Sequence, residues 1–202
     1  CIFCNQRAIT GKSAQTPSQD EIQQEVNRFL KFGKERPSTT QISFFGGSFL
    51  GLEKETIRSL LETAMPFVRA KDVDSIRFST RPDTVSQESL SLLDGFPVST
   101  VELGVQSMND HVLDAAGRGH RASDTLVAAG LLKKRGYEIG LQMMVGLPAD
   151  DNDGAMQTAR RIAKLAPDFV RIYPTLVLEG SQLARRFKDG RYHPMALAAC
   201  IT

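Results

Sequence analysis

The residues best suited to chemistry stand at the start of the chain, where Cys1 and Cys4 form the stretch CIFC. A Cys-x-x-Cys spacing places two thiolates within reach of one metal or cluster, or within disulfide range. Three chemistries use it: a zinc knuckle, a redox dithiol and an iron–sulfur cluster. A zinc site needs further ligands at similar spacing, and His111, His120 and His193 show no His-x-x-x-His pattern. A thioredoxin-like dithiol belongs to a small fold with few βα units. A cluster needs three or four cysteines, and the remaining one, Cys200, is at the other end. On this motif alone the three readings stand level.

Four other stretches carry polar or glycine-rich chemistry. In FFGGSF, Gly46 and Gly47 follow a β-rich run and leave backbone groups open to a ligand; a plain tight turn is the competing reading. The segment lacks the Gly-Lys-Ser/Thr of a phosphate loop. STRPD sets Arg81 and Asp83 on a turn stiffened by Pro82, as a rigid polar rim or a solvated turn. In VELGVQS, Glu102, Gly104 and Gln106 share one strand face, opposite Val101, Leu103 and Val105. Such a face fits a barrel interior with polar contents. AGRGHR holds Arg118, which could clamp a carboxylate, and His120, which reads as a solvated loop histidine. MMVGLP reads as core followed by a turn.

These stretches need elements to position them. Helical spacing of Ile22, Val26, Phe29 and Leu30 predicts a helix closed near Gly33. The run from Glu53 to Lys71 predicts another, kinked or ended by Pro66. Shorter helices are expected from Ser86, from Ser123 or Asp124 to Gly136, over DGAMQTARRIAKLAP, and at SQLARRF. Between them lie QISFFGG, SIRFST, STVELGVQS, YEIGLQMMVGLP and FVRIYPT, which read as strands. Several of these do not alternate cleanly, as expected of strands buried on both faces. Strands alternating with helices every 25–40 residues or so indicate βα units and a parallel sheet. In such folds ligands bind at the C-terminal strand ends, and all five polar or glycine-rich tips should meet on one rim.

Composition narrows the partners. The chain has 202 residues and a net charge of +2, enough for one domain and too balanced for a broadly basic nucleic-acid surface. No apolar run approaches the ~20 residues of a membrane helix. Three cysteines do not make a secreted disulfide framework, so a reducing cytoplasm is the expected compartment. A start without methionine and an abrupt end suggest a fragment, with residues 1–202 forming one domain.

Taken in order, the CIFC pair, the GG turn, the proline-bearing tip, LGVQS, RGH and GLP resemble the radical S-adenosylmethionine (SAM) enzymes. The likeness is greatest to the branch holding the Elongator catalytic subunit and the oxygen-independent coproporphyrinogen oxidases. That resemblance implies an α/β fold, a partial (βα)6 TIM-like barrel whose first strand lies upstream of residue 1. It implies that Cys1 and Cys4 are the second and third ligands of a [4Fe–4S] cluster, the first lying four residues before Cys1. Phe3 matches the aromatic beside the cofactor adenine. Gly46 and Gly47 match the segment that binds the SAM amino group, with Ser48 replacing a frequent Glu. Ser79 stands where coproporphyrinogen oxidases carry a SAM-contacting Glu. Gln106 and Arg118 match a polar residue and a carboxylate-clamping arginine. Gln142 replaces an Asp, and Val145 and Gly146 match the strand end flanking the adenine.

The implied activity is reductive cleavage of SAM to a 5′-deoxyadenosyl radical, which abstracts hydrogen from an unknown substrate, tRNA or small molecule. The implied partner is an electron donor such as flavodoxin or ferredoxin, with no membrane. Two other readings compete: a non-catalytic barrel of the same stock that binds a cluster or tetrapyrrole, suggested by Ser79 and Gln142, and a zinc- or dithiol-bearing α/β domain.

Overall fold

The computed structural model describes residues 1–11, 16–32 and 39–200. Among these, five strands form one parallel sheet in the order β1 (Gln41–Phe44), β2 (Ser75–Thr80), β3 (Val98–Gln106), β4 (Glu138–Val145) and β5 (Phe169–Pro174). Helices fill the connections: α3 (Lys54–Arg69), α4 (Gln87–Ser91), α5 (Asp110–Ala115), α6 (Ala122–Lys134) and α7 (Asn152–Lys164). A short α1 (Gln6–Thr10) and α2 (Gln19–Leu30) precede the sheet, and α8 (Gln182–Lys188) follows it. The sheet curls into a half-barrel. The Arg171 guanidinium of β5 lies 5.7 Å from the ring of Phe45, just past β1 at the opposite edge.

Each element has a local cause. Ser18 accepts from the Glu21 N–H while Glu21 binds the Ser18 N–H, a capping box that starts α2. Ser86 starts α4 as expected. The helix expected from Ser123 or Asp124 begins at Ala122, because the Asp124 carboxylate reaches back to the Arg121 N–H. Pro66 neither ends nor replaces α3, which runs on to Arg69. It sits in the last turn, where only one ladder bond is lost and its own carbonyl still accepts from Ala70 at 2.9 Å. The expected closure of α2 at Gly33 lies outside the described residues. The short helices α1 and α5 carry too few periodic residues to be read from sequence.

The strands alternate more strictly than the sequence reading allows. Ile76, Phe78, Val101, Leu103, Ile139 and Leu141 turn outward beneath the helices and are at most 1% exposed. They pack with Ile57, Leu61, Leu93 and Leu132 into the main core. Ser75, Arg77 and Ser79, then Thr100, Glu102 and Gly104, then Gln142 and Arg171, have the opposite parity and face the concave side. In β2, β3 and β4 both faces are largely buried, as expected, while Val170 and Ile172 of β5 are exposed, and the lumen is polar. Most of its hydrogen-bonding groups pair with one another, while the buried Arg77 Nε has no protein partner. Gln41 Nε2, for instance, lies 2.9–3.1 Å from the hydroxyls of Ser75, Ser99 and Thr100, with two hydrogens to share among them.

Candidate functional site

The C-terminal strand ends meet around the CIFC loop. That loop is anchored by its backbone: the Ile2 N–H donates to Ala116 O at 3.0 Å, and the Leu183 N–H donates to Ile2 O at 2.7 Å. Ile2 and Phe3 are thereby held against Leu183 and Tyr192, while Phe3 also touches the cluster of Val112, Ala116, Met144 and Leu147. With its apolar residues turned inward, the loop leaves Cys1 exposed and Cys4 half-buried at the rim, both as free thiols.

Arg118 is the electrostatic centre of the site. Gly117 and Gly119, at φ 62° and 73°, turn the chain so that this one side chain points inward. It is 7% exposed. One guanidinium nitrogen donates to Cys1 Sγ at 3.0 Å and another to Gly104 O at 2.5 Å, while Nε has no protein partner. Burial, with the nearby Arg81 charge, pulls its pKa down to about 10, so it is still a cation near neutral pH. A buried cation with unfilled donors is a receptor for an anion. Gly104 keeps that receptor open: a Cβ there would stand 3.1 Å from both the Arg118 and Gln106 side-chain nitrogens.

Gln106 closes β3 at φ 67°, a left-handed conformation costly for a side-chain residue, beside a register shift between Gly104 and Gln106. Its Oε1 accepts from Gln142 Nε2 at 3.3 Å, so two amides from adjacent strands face each other. Val105 O, displaced by the shift, is met by His120 Nε2 at 3.2 Å. His120 is 4% exposed, which corrects its reading as a solvated loop histidine. Burial first, then the Arg118 charge, pulls its pKa down to about 4. The ring is therefore neutral and donates through Nε2 to that carbonyl.

Gly46 and Gly47 sit at the tip past β1, exposed. A Cβ on Gly47 would meet nothing within 4 Å, while one on Gly46 would approach Gln6 Oε1 at 3.7 Å. Gln6 in turn donates to Cys4 Sγ at 3.2 Å, so this glutamine links the glycine turn to the thiol loop. Nothing in the sequence marks Gln6. Ser48 bonds Thr80 Oγ1 at 3.0 Å and accepts from the Arg81 N–H at 3.1 Å, tying the turn to the rim after β2. There Arg81 Nε binds Asp83 at 2.9 Å, and Pro82 is buried: the rigid rim, not a solvated turn. Ser79 lies one layer down on the lumen side, opposite Glu102 in the register. Val145 O accepts from the Thr175 N–H at 2.9 Å, and Gly146 O accepts from the Tyr192 hydroxyl at 2.7 Å. Gly146, at φ 78°, leaves room for Met195, which a Cβ would approach to 3.0 Å.

Most of the predicted residues thus reach one rim, around Cys1, Cys4 and Arg118. Among the described residues no three His, Cys, Asp or Glu side chains gather as a metal site. The two thiols therefore suit a group that takes other ligands as well, and Arg118 and the open Gly104 cradle suit an anionic group beside it.

A curled parallel half-barrel with two thiols and a buried arginine at its rim is a partial TIM-like core. The pattern described as the Radical SAM superfamily matches residues 1–162, and that of the superfamily's C-terminal domain matches residues 167–202. The chain belongs to the radical SAM superfamily. An uncharacterized protein of Methanocaldococcus jannaschii is 29% identical over 96% of the chain and 61% of its own length. A tRNA uridine(34) acetyltransferase of Dehalococcoides mccartyi is 35% identical over 57% of the chain and 26% of its own length. The structure of Elp3 from the archaeon Methanocaldococcus infernus superposes with a TM-score of 0.74 at 27% identity, covering 91% of the chain and 47% of Elp3. The chain thus spans less than two thirds of these proteins.

Proposed function

We propose that this chain is the core domain of a radical SAM enzyme, with residues 1–202 acting as one unit. When bound, a [4Fe–4S] cluster would supply the electron that cleaves SAM to a 5′-deoxyadenosyl radical for hydrogen abstraction. Cys1 and Cys4 would bind irons as thiolates. Arg118 carries the reading: a buried cation touching Cys1 and reaching Gly104, with a donor to spare. It holds the SAM carboxylate. Gly46 and Gly47 offer backbone groups to the amino group. Phe3, Val145 and Gly146 flank the adenine, and the Gln106–Gln142 pair together with Ser79 orients the ribose side. The packed apolar loop keeps water from the reacting carbon.

Two substrate classes fit, a tRNA nucleoside and a small molecule, and the named tRNA-modifying relative supports the first. The cytoplasm suits the reduced thiols. A non-catalytic barrel is the second reading, favoured by neutral Ser79 and Gln142 where related enzymes carry acids. One experiment separates the two. The full-length protein is reconstituted anaerobically with iron and sulfide, then given dithionite and SAM. About four irons per chain and released 5′-deoxyadenosine are expected. Uptake of zinc alone defeats both readings, and a cluster without release selects the second.

A further inference from the structure

Ten residues carry the chain's whole positive excess. Between Gln182 and Arg191 stand Arg185, Arg186, Lys188 and Arg191 against the single acid Asp189, a surplus greater than the +2 of the entire chain. The rest of the protein is therefore slightly acidic, and the charge is concentrated on α8 and the turn after it. Arg185, Lys188 and Arg191 are exposed, and between them Phe187 is 47% exposed. Arg186 is turned inward, donating to Ala115 O at 3.1 Å.

This patch lies against the thiol loop. The Leu183 N–H in the first turn of α8 holds Ile2 O, Leu183 packs on Ile2, and Asn5 Nδ2 donates to Glu179 O at 2.7 Å just before the helix. The loop carrying Cys1 and Cys4 thus rests directly on the helix that carries the charge. Under the proposed function each turnover needs one electron at that loop, and no side chain supplies it catalytically. The donor must be another molecule that docks close to the thiols.

We propose that the α8 face, Arg185, Phe187, Lys188 and Arg191, is the docking surface for a small acidic one-electron carrier protein. Arg191 is ion-paired with the exposed Asp189, so Arg185 and Lys188 carry most of the charge beside Phe187. An exposed aromatic beside basic side chains is the make-up of a weak, steered encounter surface, with charge complementarity setting the rate and the apolar group giving contact. Electron-transfer encounters lie at the small end of interface size, so one short helix and its turn suffice. An RNA backbone would also be drawn by the charge, but α8 presents a compact patch at the thiol loop rather than a track. The inference rests on the proposed function, because that function creates the need for an electron.

The test uses the full-length reconstituted protein and the charge-reversed variant Arg185→Glu/Lys188→Glu, whose side chains stand in solvent. SAM cleavage is driven by dithionite in one arm and by an acidic flavodoxin with its reductase and NADPH in the other. The variant is expected to keep the dithionite rate and lose about tenfold or more of the flavodoxin-driven rate, as electrostatic steering implies. The wild-type flavodoxin-driven rate should also fall with added salt. An unchanged flavodoxin rate, or equal losses in both arms, overturns the proposal. So does weakened tRNA binding in a filter assay with the flavodoxin rate intact, which assigns the patch to RNA. If dithionite releases no 5′-deoxyadenosine, the proposed function has failed. Calorimetric titration of flavodoxin into wild type and variant then decides the docking surface by itself, with equal binding counting against it.

Discussion

At the residue scale, the guanidinium fork of Arg118 is what ties thiol, lumen and anion together. Lysine has the charge without the fork and cannot reach Cys1 Sγ and Gly104 O at once. Arg118→Lys should therefore weaken SAM binding to the reconstituted protein by about tenfold to a hundredfold, the worth of one charge-assisted hydrogen bond. Equilibrium dialysis with labelled SAM checks it. Two other buried groups titrate in opposite senses. His120, lowered to about 4 from 6.5, binds its proton less readily when folded, so its contribution is full above pH 6.5 and is lost as pH falls towards 4. Asp150, raised to about 6 from 3.8 mainly by burial, contributes fully below pH 3.8 and loses that as pH rises through 6. The two slopes oppose each other between pH 4 and 6. Urea midpoints over that range should drift little from these groups in the wild type. They should rise with pH in Asp150→Asn and fall with pH in His120→Gln.

At the element scale, the rim depends on hydroxyl groups that knit successive βα units. Thr80 Oγ1 is shared by Ser48 at 3.0 Å and Thr84 at 2.7 Å, and accepts from the Leu50 N–H at 3.1 Å. Thr80→Val keeps the shape but strands that buried N–H, and should cost ~1–3 kcal/mol. Thr80→Ser should recover most of it. Urea denaturation with an unchanged slope is the measurement. The order of elements was largely legible beforehand, because βα periodicity and caps such as Ser18 and Ser86 are local signals. The SIRFST strand coincides with β2. The start of α6 and the survival of α3 past Pro66 were not, since each turns on one hydrogen bond at a helix end.

At the scale of the whole molecule, the curl of the sheet is held across the lumen. Glu102, 2% exposed, pairs with Arg77 of β2 and with Arg171 of β5, the latter at 2.9 Å. Both guanidinium groups lie 5.7 Å from the Phe45 ring beyond β1. Glu102→Gln leaves two cations facing a neutral amide. With Arg77 and Arg171 at 24% and 41% exposure, solvent screens part of the penalty. A loss of about 1–3 kcal/mol is expected, partly restored by adding Arg171→Gln. Thermal unfolding of the single and double variants measures both.

The chain's own sequence determined the CIFC pair, the five strands and the glycine-bearing tips, because spacing, periodicity and turn chemistry are written within a few residues. It could not bury His120 beneath a displaced carbonyl, or set Glu102 between two arginines of non-adjacent strands. Those contacts join residues up to 69 positions apart, as Glu102 and Arg171 are. Only the closing of the sheet on itself brings such groups within hydrogen-bonding distance, and only there does burial set their charge.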